Sequence, residues 1–315
     1  MGKIIVVCNQ KGGVGKTTTS LNLAASLALR GSSVLLIDLD PQANATSGLG
    51  IDKKTVKNST YQVLLEQFPM REAILQTKIQ GLSLLPSHVS LSGAEVELVN
   101  VLRREDRLKQ ALFSVEEKYE IIFIDCPPSL GLLTINALSA AHSVLIPLQC
   151  EYYALEGLSQ LLETVRLVQE NLNEQLAIEG ILLTMADFRT KLTQDVIQEV
   201  RRYFGTKVYG VIIPRSVRLS EAPSHGVPIA LYDPDSSGAQ AYQLLAEKIK
   251  ENLHVRDAWF GQRDPGPDTG KGNGSDSFGK TDEPAGDQRI EEAGRSDSHP
   301  DSEYSTEQIS TPPNN

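Results

Sequence analysis

The residues best suited to chemistry are Lys-Gly-Gly-Val-Gly-Lys-Thr-Thr at 11–18, directly after the apolar run Ile4-Ile5-Val6-Val7-Cys8. Gly12, Gly13 and Gly15 let the backbone turn tightly and aim several N–H groups at one point. A helix starting near Thr17 adds its positive end. Lys16 can reach the β- and γ-phosphates of a bound nucleotide, the Thr17 hydroxyl can hold Mg²⁺, and Val14 and Thr18 complete the loop. A nucleoside triphosphate fits this strand–loop–helix unit. The loop departs from the general pattern G-x-x-x-x-G-K-[ST], because Asn9 or Gln10 stands where the first Gly belongs and a second lysine, Lys11, opens the run. Either Lys11 points to solvent or an anion offsets it.

Two acidic blocks also follow apolar runs. Val34–Ile37 leads into Asp38-Leu39-Asp40-Pro41-Gln42, and Ile121–Ile124 leads into Asp125-Cys126-Pro127-Pro128. An acid after an apolar strand in such a protein supports Mg²⁺ through water, and Asp125 is the choice for that role. Asp38 and Asp40 alternate, so one can face the metal and the other the γ-phosphate, where Asp40 would orient the attacking water. Asp also favours turns before Pro, which gives both residues a purely local reading. A third cluster, Pro214 to Gly226, follows the run Val208–Ile213. Pro214 offers a flat surface to a base, Arg215 and Arg218 are two basic groups on a loop, and His225 reads as a turn residue.

Position depends on the elements around these residues. Apolar runs at Ile4–Cys8, Val34–Ile37, Leu82–Leu85, Ile121–Ile124, Val144–Ile146, Ile178–Leu183 and Val208–Ile213 read as strands. Helical segments are expected at Thr17–Arg30, Arg104–Tyr119, Ala154–Gln169, Thr193–Tyr203 and Ser236–Asn252. The strands are nearly continuous in apolar character, which predicts an α/β fold: a mostly parallel twisted sheet with helices on both faces. Ligands on such sheets bind at the carboxyl ends of the strands, where the acidic blocks lie. Hydrophobic residues make up 40% of the chain and aromatics 5%, so the core is aliphatic. The net charge of −10 argues against a general basic coat for nucleic acid. Residues 254–315 hold 13 Asp/Glu against 6 Lys/Arg and no Leu. That composition predicts a disordered acidic tail after a domain spanning 1–253, with Trp259-Phe260 as its one apolar island. Cys8, Cys126 and Cys150 sit in or beside apolar runs and read as buried thiols of a reducing cytoplasm.

Taken together, Lys11–Thr18, Asp38–Gln42, Ile124–Pro128, Leu183-Thr184-Met185 and Pro214–Gly226 resemble the ParA/Soj-type partition ATPases, a deviant Walker A family that includes the relatives of MinD. The resemblance spans nearly all of residues 1–253. It implies an ATP- and Mg²⁺-dependent ATPase whose ATP form is a sandwich homodimer, with Lys11 reaching the partner's phosphates. Lys11, Lys16 and Asp40 become the catalytic candidates. Met185, Pro214 and Ser216 join the loop as nucleotide-binding candidates, with Ser216 standing where relatives often carry Asn. The resemblance further implies binding of non-specific DNA, through Arg189 and Arg218 with Arg215 as a lesser addition, and hydrolysis stimulated by a ParB-type centromere-binding protein. It implies a nucleoid-associated cytoplasmic location, and site-specific operator binding is not expected. The acidic tail would act as an electrostatic brake on DNA binding. A MinD-like membrane-cycling regulator is the alternative; it needs a basic amphipathic C-terminal helix, and the terminus here is acidic and Pro-rich. A redox ATPase would need a second cluster-binding cysteine per chain.

Overall fold

A computed structural model describes residues 2–151 and 154–260. Seven strands form one sheet: β1 (Lys3–Val7), β2 (Val34–Asp38), β3 (Leu75–Gln76), β4 (Leu82–Leu85), β5 (Ile121–Asp125), β6 (Ser143–Gln149) and β7 (Ala177–Thr184). Their order is β3-β4-β2-β5-β1-β6-β7, parallel throughout except for β3, a two-residue antiparallel edge. The register pairs Val7 with Asp125 and Asp38 with Asp125, so three strand ends open on one line. β1 is central. The chain leaves it toward β2 on one side and fills β6 and β7 on the other, which makes the end of β1 the switch point where such sheets bind ligands.

Alternation along the strands divides the core into two layers. Ile4, Val6, Ile122, Ile124, Val144 and Ile146 pack against helices α2 (Leu132–Ala140), α3 (Ala154–Asn171) and α4 (Lys191–Phe204). Ile5, Val7, Leu36, Phe123 and Leu145 pack against α1 (Lys16–Ala28) and α5 (Ser237–Phe260). The Thr19 hydroxyl meets the Tyr242 hydroxyl at 3.1 Å and ties α1 to α5. Among the described residues no helix is long and apolar enough to cross a membrane.

Three expectations change. Val208–Ile213 is not a regular strand, although it runs beside β7. Tyr209 N–H donates to the Ile181 carbonyl and Ile213 N–H to the Leu183 carbonyl, both at 2.9 Å, so the loop spends four residues against two of β7 and bulges outward. The Tyr209 ring fills the space over Gly180, where a Cβ would come within 2.4 Å of it. The expected helix at 104–119 is broken into one α-helical stretch, Arg107–Leu112, between two short 3₁₀ turns. Asn136 on α2 sets its start, accepting from Leu108 N–H at 3.1 Å and donating to the Arg104 carbonyl at 2.7 Å. Finally, α5 runs to Phe260, past the expected boundary at 253. Gly261 is the first glycine or proline after Gly238, so nothing local stops the helix earlier. Trp259-Phe260 therefore ends a helix, and the expectation of disorder for 261–315 lies outside the described residues.

Candidate nucleotide site

The loop after β1 is shaped by two glycines in the left-handed region, Gly13 (φ +73°) and Gly15 (φ +88°), and Gly15 caps α1. Two strands on the same side of β1, β6 and β7, hold it. The Asn9 amide donates to the Pro147 carbonyl at 2.7 Å while its oxygen accepts from Lys11 N–H, and Gln10 stands at the position where the general loop has its first Gly. The Thr184 hydroxyl donates to the Val14 carbonyl at 2.9 Å. Asn9 thus gives β6 a grip on the loop.

Lys16 is buried, and its ammonium donates to the Lys11 carbonyl at 3.1 Å. Burial lowers its pKa, and the nearby Asp125 carboxylate opposes that shift most strongly. An anion arriving at the loop would find a cation already placed and poorly hydrated. Lys11 is half-exposed and neither free in solvent nor aimed into its own loop. Its ammonium pairs with Glu151 at 3.0 Å, and Glu151 also accepts from the Gln149 amide.

Asp125 is wholly buried at the end of β5. Its Oδ1 accepts from the Ser20 hydroxyl at 2.8 Å, and Thr17 also donates to the carboxylate. Its Oδ2 has no hydrogen-bond partner. Burial raises its pKa, and the neighbouring Asp38 raises it further. A buried carboxylate oxygen without a donor is costly, and a cation beside Thr17 removes that cost, so the residues present fit Mg²⁺. Asp38 takes the local reading instead. Its oxygens accept from Asp40 N–H at 3.2 Å and from the Thr46 N–H and hydroxyl at 2.8 and 2.7 Å, which fixes the loop that carries Asp40. Asp40 closes a turn through Gln42 N–H at 2.9 Å; its other oxygen has no hydrogen bond among the described residues.

A cavity of about 340 Å³ adjoins the loop, with Gly15, Thr18 and Met185 on one side and Pro214, Arg215 and Ser216 on the other. Its size suits a nucleoside. Met185 holds a left-handed backbone (φ +51°), and Arg215 N–H donates to the Ala186 carbonyl at 3.0 Å, joining the two walls. Arg215 therefore lines this cavity, whose lining includes neither Arg189 nor Arg218. Arg189 and Arg218 are exposed, each paired with acids of its own chain. Ser20, Thr46 and Glu151 were not singled out by sequence; their roles depend on neighbours distant along the chain.

A family model described as an AAA domain matches residues 2–178. Sporulation initiation inhibitor protein Soj of Bacillus subtilis is 60% identical over 252 residues, which is 80% of this chain and all of Soj. Chromosome partitioning protein ParA of Myxococcus xanthus is 55% identical over 249 residues, 79% of this chain and 88% of that protein. Among solved structures, cobyrinic acid a,c-diamide synthase from Mycobacterium smegmatis with a bound ATP analogue and magnesium is similar, at TM-score 0.71 and 37% identity over 84% of this chain and 99% of that one. The cradle of Lys16, Thr17 and Asp125 and the match to whole partition proteins agree, and the chain belongs to the ParA/Soj family of ATP- and Mg²⁺-dependent partition ATPases.

Proposed function

We propose that this ATPase is a DNA-segregation switch: ATP binding closes a homodimer, the dimer holds duplex DNA without sequence preference, and a ParB-type partner stimulates hydrolysis and release. The observation that carries this reading is Lys11. Lys16 already serves the phosphates of its own loop, whereas Lys11 stands at the rim on a half-exposed ion pair with Glu151, from which it can turn to a second chain. An exposed pair of this kind contributes only about 0–1 kcal/mol, so a phosphate can displace it.

Within one chain, the amides of Gly12, Gly13 and Gly15 and the Lys16 ammonium bind the phosphates. Thr17 and Asp125 hold Mg²⁺, Asp125 through water, and the bound ion offsets charge on the phosphate oxygens. Met185, Pro214 and Ser216 bind the nucleoside. Asp40 uses its unoccupied oxygen to orient the attacking water. Arg189 and Arg218, with a lesser part for Arg215, contact DNA phosphates in a nucleoid-associated cytoplasmic protein. The acidic tail, 254–315, lowers DNA affinity. A membrane-cycling role finds less support, because the last described helix, α5, already buries Tyr242, Leu245, Ala246 and Ile249 in the core.

The test is the full chain carrying Arg189→Glu and Arg218→Glu, with folding checked by thermal melting. Two lost phosphate contacts are expected to cut ATP-dependent retention on non-specific duplex by about tenfold or more and to flatten the log–log salt dependence by about two. Unchanged retention and slope would contradict the assignment.

A further inference from the structure

The two arginines assigned to DNA are not presented freely. Arg189 grips Asp187 with both edges of one fork, Nε to Oδ1 at 2.8 Å and Nη2 to Oδ2 at 2.6 Å, although its side chain is 88% exposed. Arg218 is held by two acids, Nη1 to Glu221 at 3.0 Å and Nε to Asp233 at 3.5 Å. Glu221 is itself fixed by the Tyr232 hydroxyl at 3.2 Å, and the Tyr232 ring stacks on His225. A guanidinium binds phosphate through the same forked N–H edge that it offers a carboxylate. The Nε/Nη2 edge of Arg189 is therefore filled and Arg218 carries an acid on Nη1 and another on Nε, so a phosphate that uses these N–H groups must displace a carboxylate.

Both clamps grow out of the walls of the nucleoside cavity. On one wall, Met185 in its left-handed conformation lies two residues before Asp187 and four before Arg189. On the other, Ser216 lies two residues before Arg218. The walls are joined by the Arg215 N–H to Ala186 carbonyl bond and the bridge between Ala186 and Pro214. Arg215 also reaches Asp187 electrostatically, helping Arg189 to hold that carboxyl down at about 2. Asp187 thus has two cations within reach, the exposed Arg189 and the cavity-lining Arg215.

Resting on the DNA-segregation reading above, we propose that Asp187 and the Glu221–Asp233 pair are autoinhibitory clamps, closed on Arg189 and Arg218 without ATP and released by ATP in the adjoining cavity. The clamps couple nucleotide state to DNA affinity at the arginines themselves, beyond any effect of dimer formation. Exposed pairs of this strength are suited to the task, because a pair worth about 0–1 kcal/mol can be exchanged on binding.

The experiment uses the full chain as Asp187→Asn, as Glu221→Gln with Asp233→Asn, and as all three together. Retention on non-specific duplex is measured with ADP and with a non-hydrolysable ATP analogue. In ADP each clamp variant is expected to gain about threefold and the triple variant about tenfold, whereas in the ATP analogue all stay within about twofold of the native chain. Asp195→Asn is the control: Asp195 lies on α4 and forms no ion pair among the described residues, so it should shift both states slightly and equally. Equal gains in both nucleotides would show a general charge effect and overturn the proposal, as would no gain in ADP. If no form is retained on duplex in either nucleotide, the DNA-segregation reading fails, and elution from immobilised heparin still judges the clamps. There the variants are expected to elute at higher salt than the native chain in ADP only, and co-elution would overturn the proposal.

Discussion

Asp40→Ala is expected to slow ATP hydrolysis by about 100-fold or more while ATP-dependent DNA retention persists and lasts longer. Phosphoryl transfer depends on positioning and electrostatics, and a misplaced water costs about that much. Asp40 is buried, feels the Lys16 ammonium, and keeps one carboxylate oxygen without a hydrogen bond among the described residues. Its other oxygen closes the turn to Gln42, so alanine removes two things at once. Asp40→Asn separates them, because the amide oxygen can still accept from Gln42 N–H. Phosphate release should be as slow in the asparagine variant as in the alanine variant if the carboxylate orients water. Native-like release from the asparagine variant would reduce Asp40 to a turn residue.

The second large effect is expected at Lys11. Lys11→Ala should lose the ATP-dependent dimer in sedimentation velocity, drop DNA retention by about tenfold or more, and lose most of the partner-stimulated rate. A cation supplied from another chain to phosphoryl transfer is worth about 10³-fold or more in rate. In the folded chain Lys11 supports little else. Its side chain is half-exposed, and the ion pair it forms among the described residues, with Glu151, is of the weak surface kind. The loop beneath it is held by Asn9, Thr184 and the two left-handed glycines. The variant should therefore melt within a few degrees of the native chain. A Lys11→Ala protein that dimerises normally with ATP would remove the central reason for reading the extra lysine as a contact to a second chain.

The strands that carry the site were legible because burial on both faces demands continuous apolar residues, and β1, β2, β4 and β5 fall within a residue or so of their expected bounds. The phosphate loop was legible for a similar reason: its glycines, lysine and threonine act locally. Val208–Ile213 has the same apolar character as a strand, yet it bulges because Tyr209 must sit over Gly180, a tertiary contact that no local pattern encodes. The acidic blocks divided along the same line. Position after a strand located Asp38, Asp40 and Asp125, but their different roles follow from partners far along the chain. Thr46 occupies one oxygen of Asp38, while Ser20 holds one oxygen of Asp125 and leaves the other without a partner among the described residues. Lys11 posed the question of its anion in sequence, and Glu151, distant in sequence and adjacent in space, supplies one.

The most direct measurement is co-sedimentation of the full native chain with non-specific duplex DNA, in ATP or ADP with Mg²⁺, at about 50 and about 200 mM salt. Retention is expected with ATP, little with ADP, and a large loss at the higher salt as phosphate contacts are screened and counterions return. Equal retention in ATP and ADP, or none in either, would contradict the DNA-segregation reading.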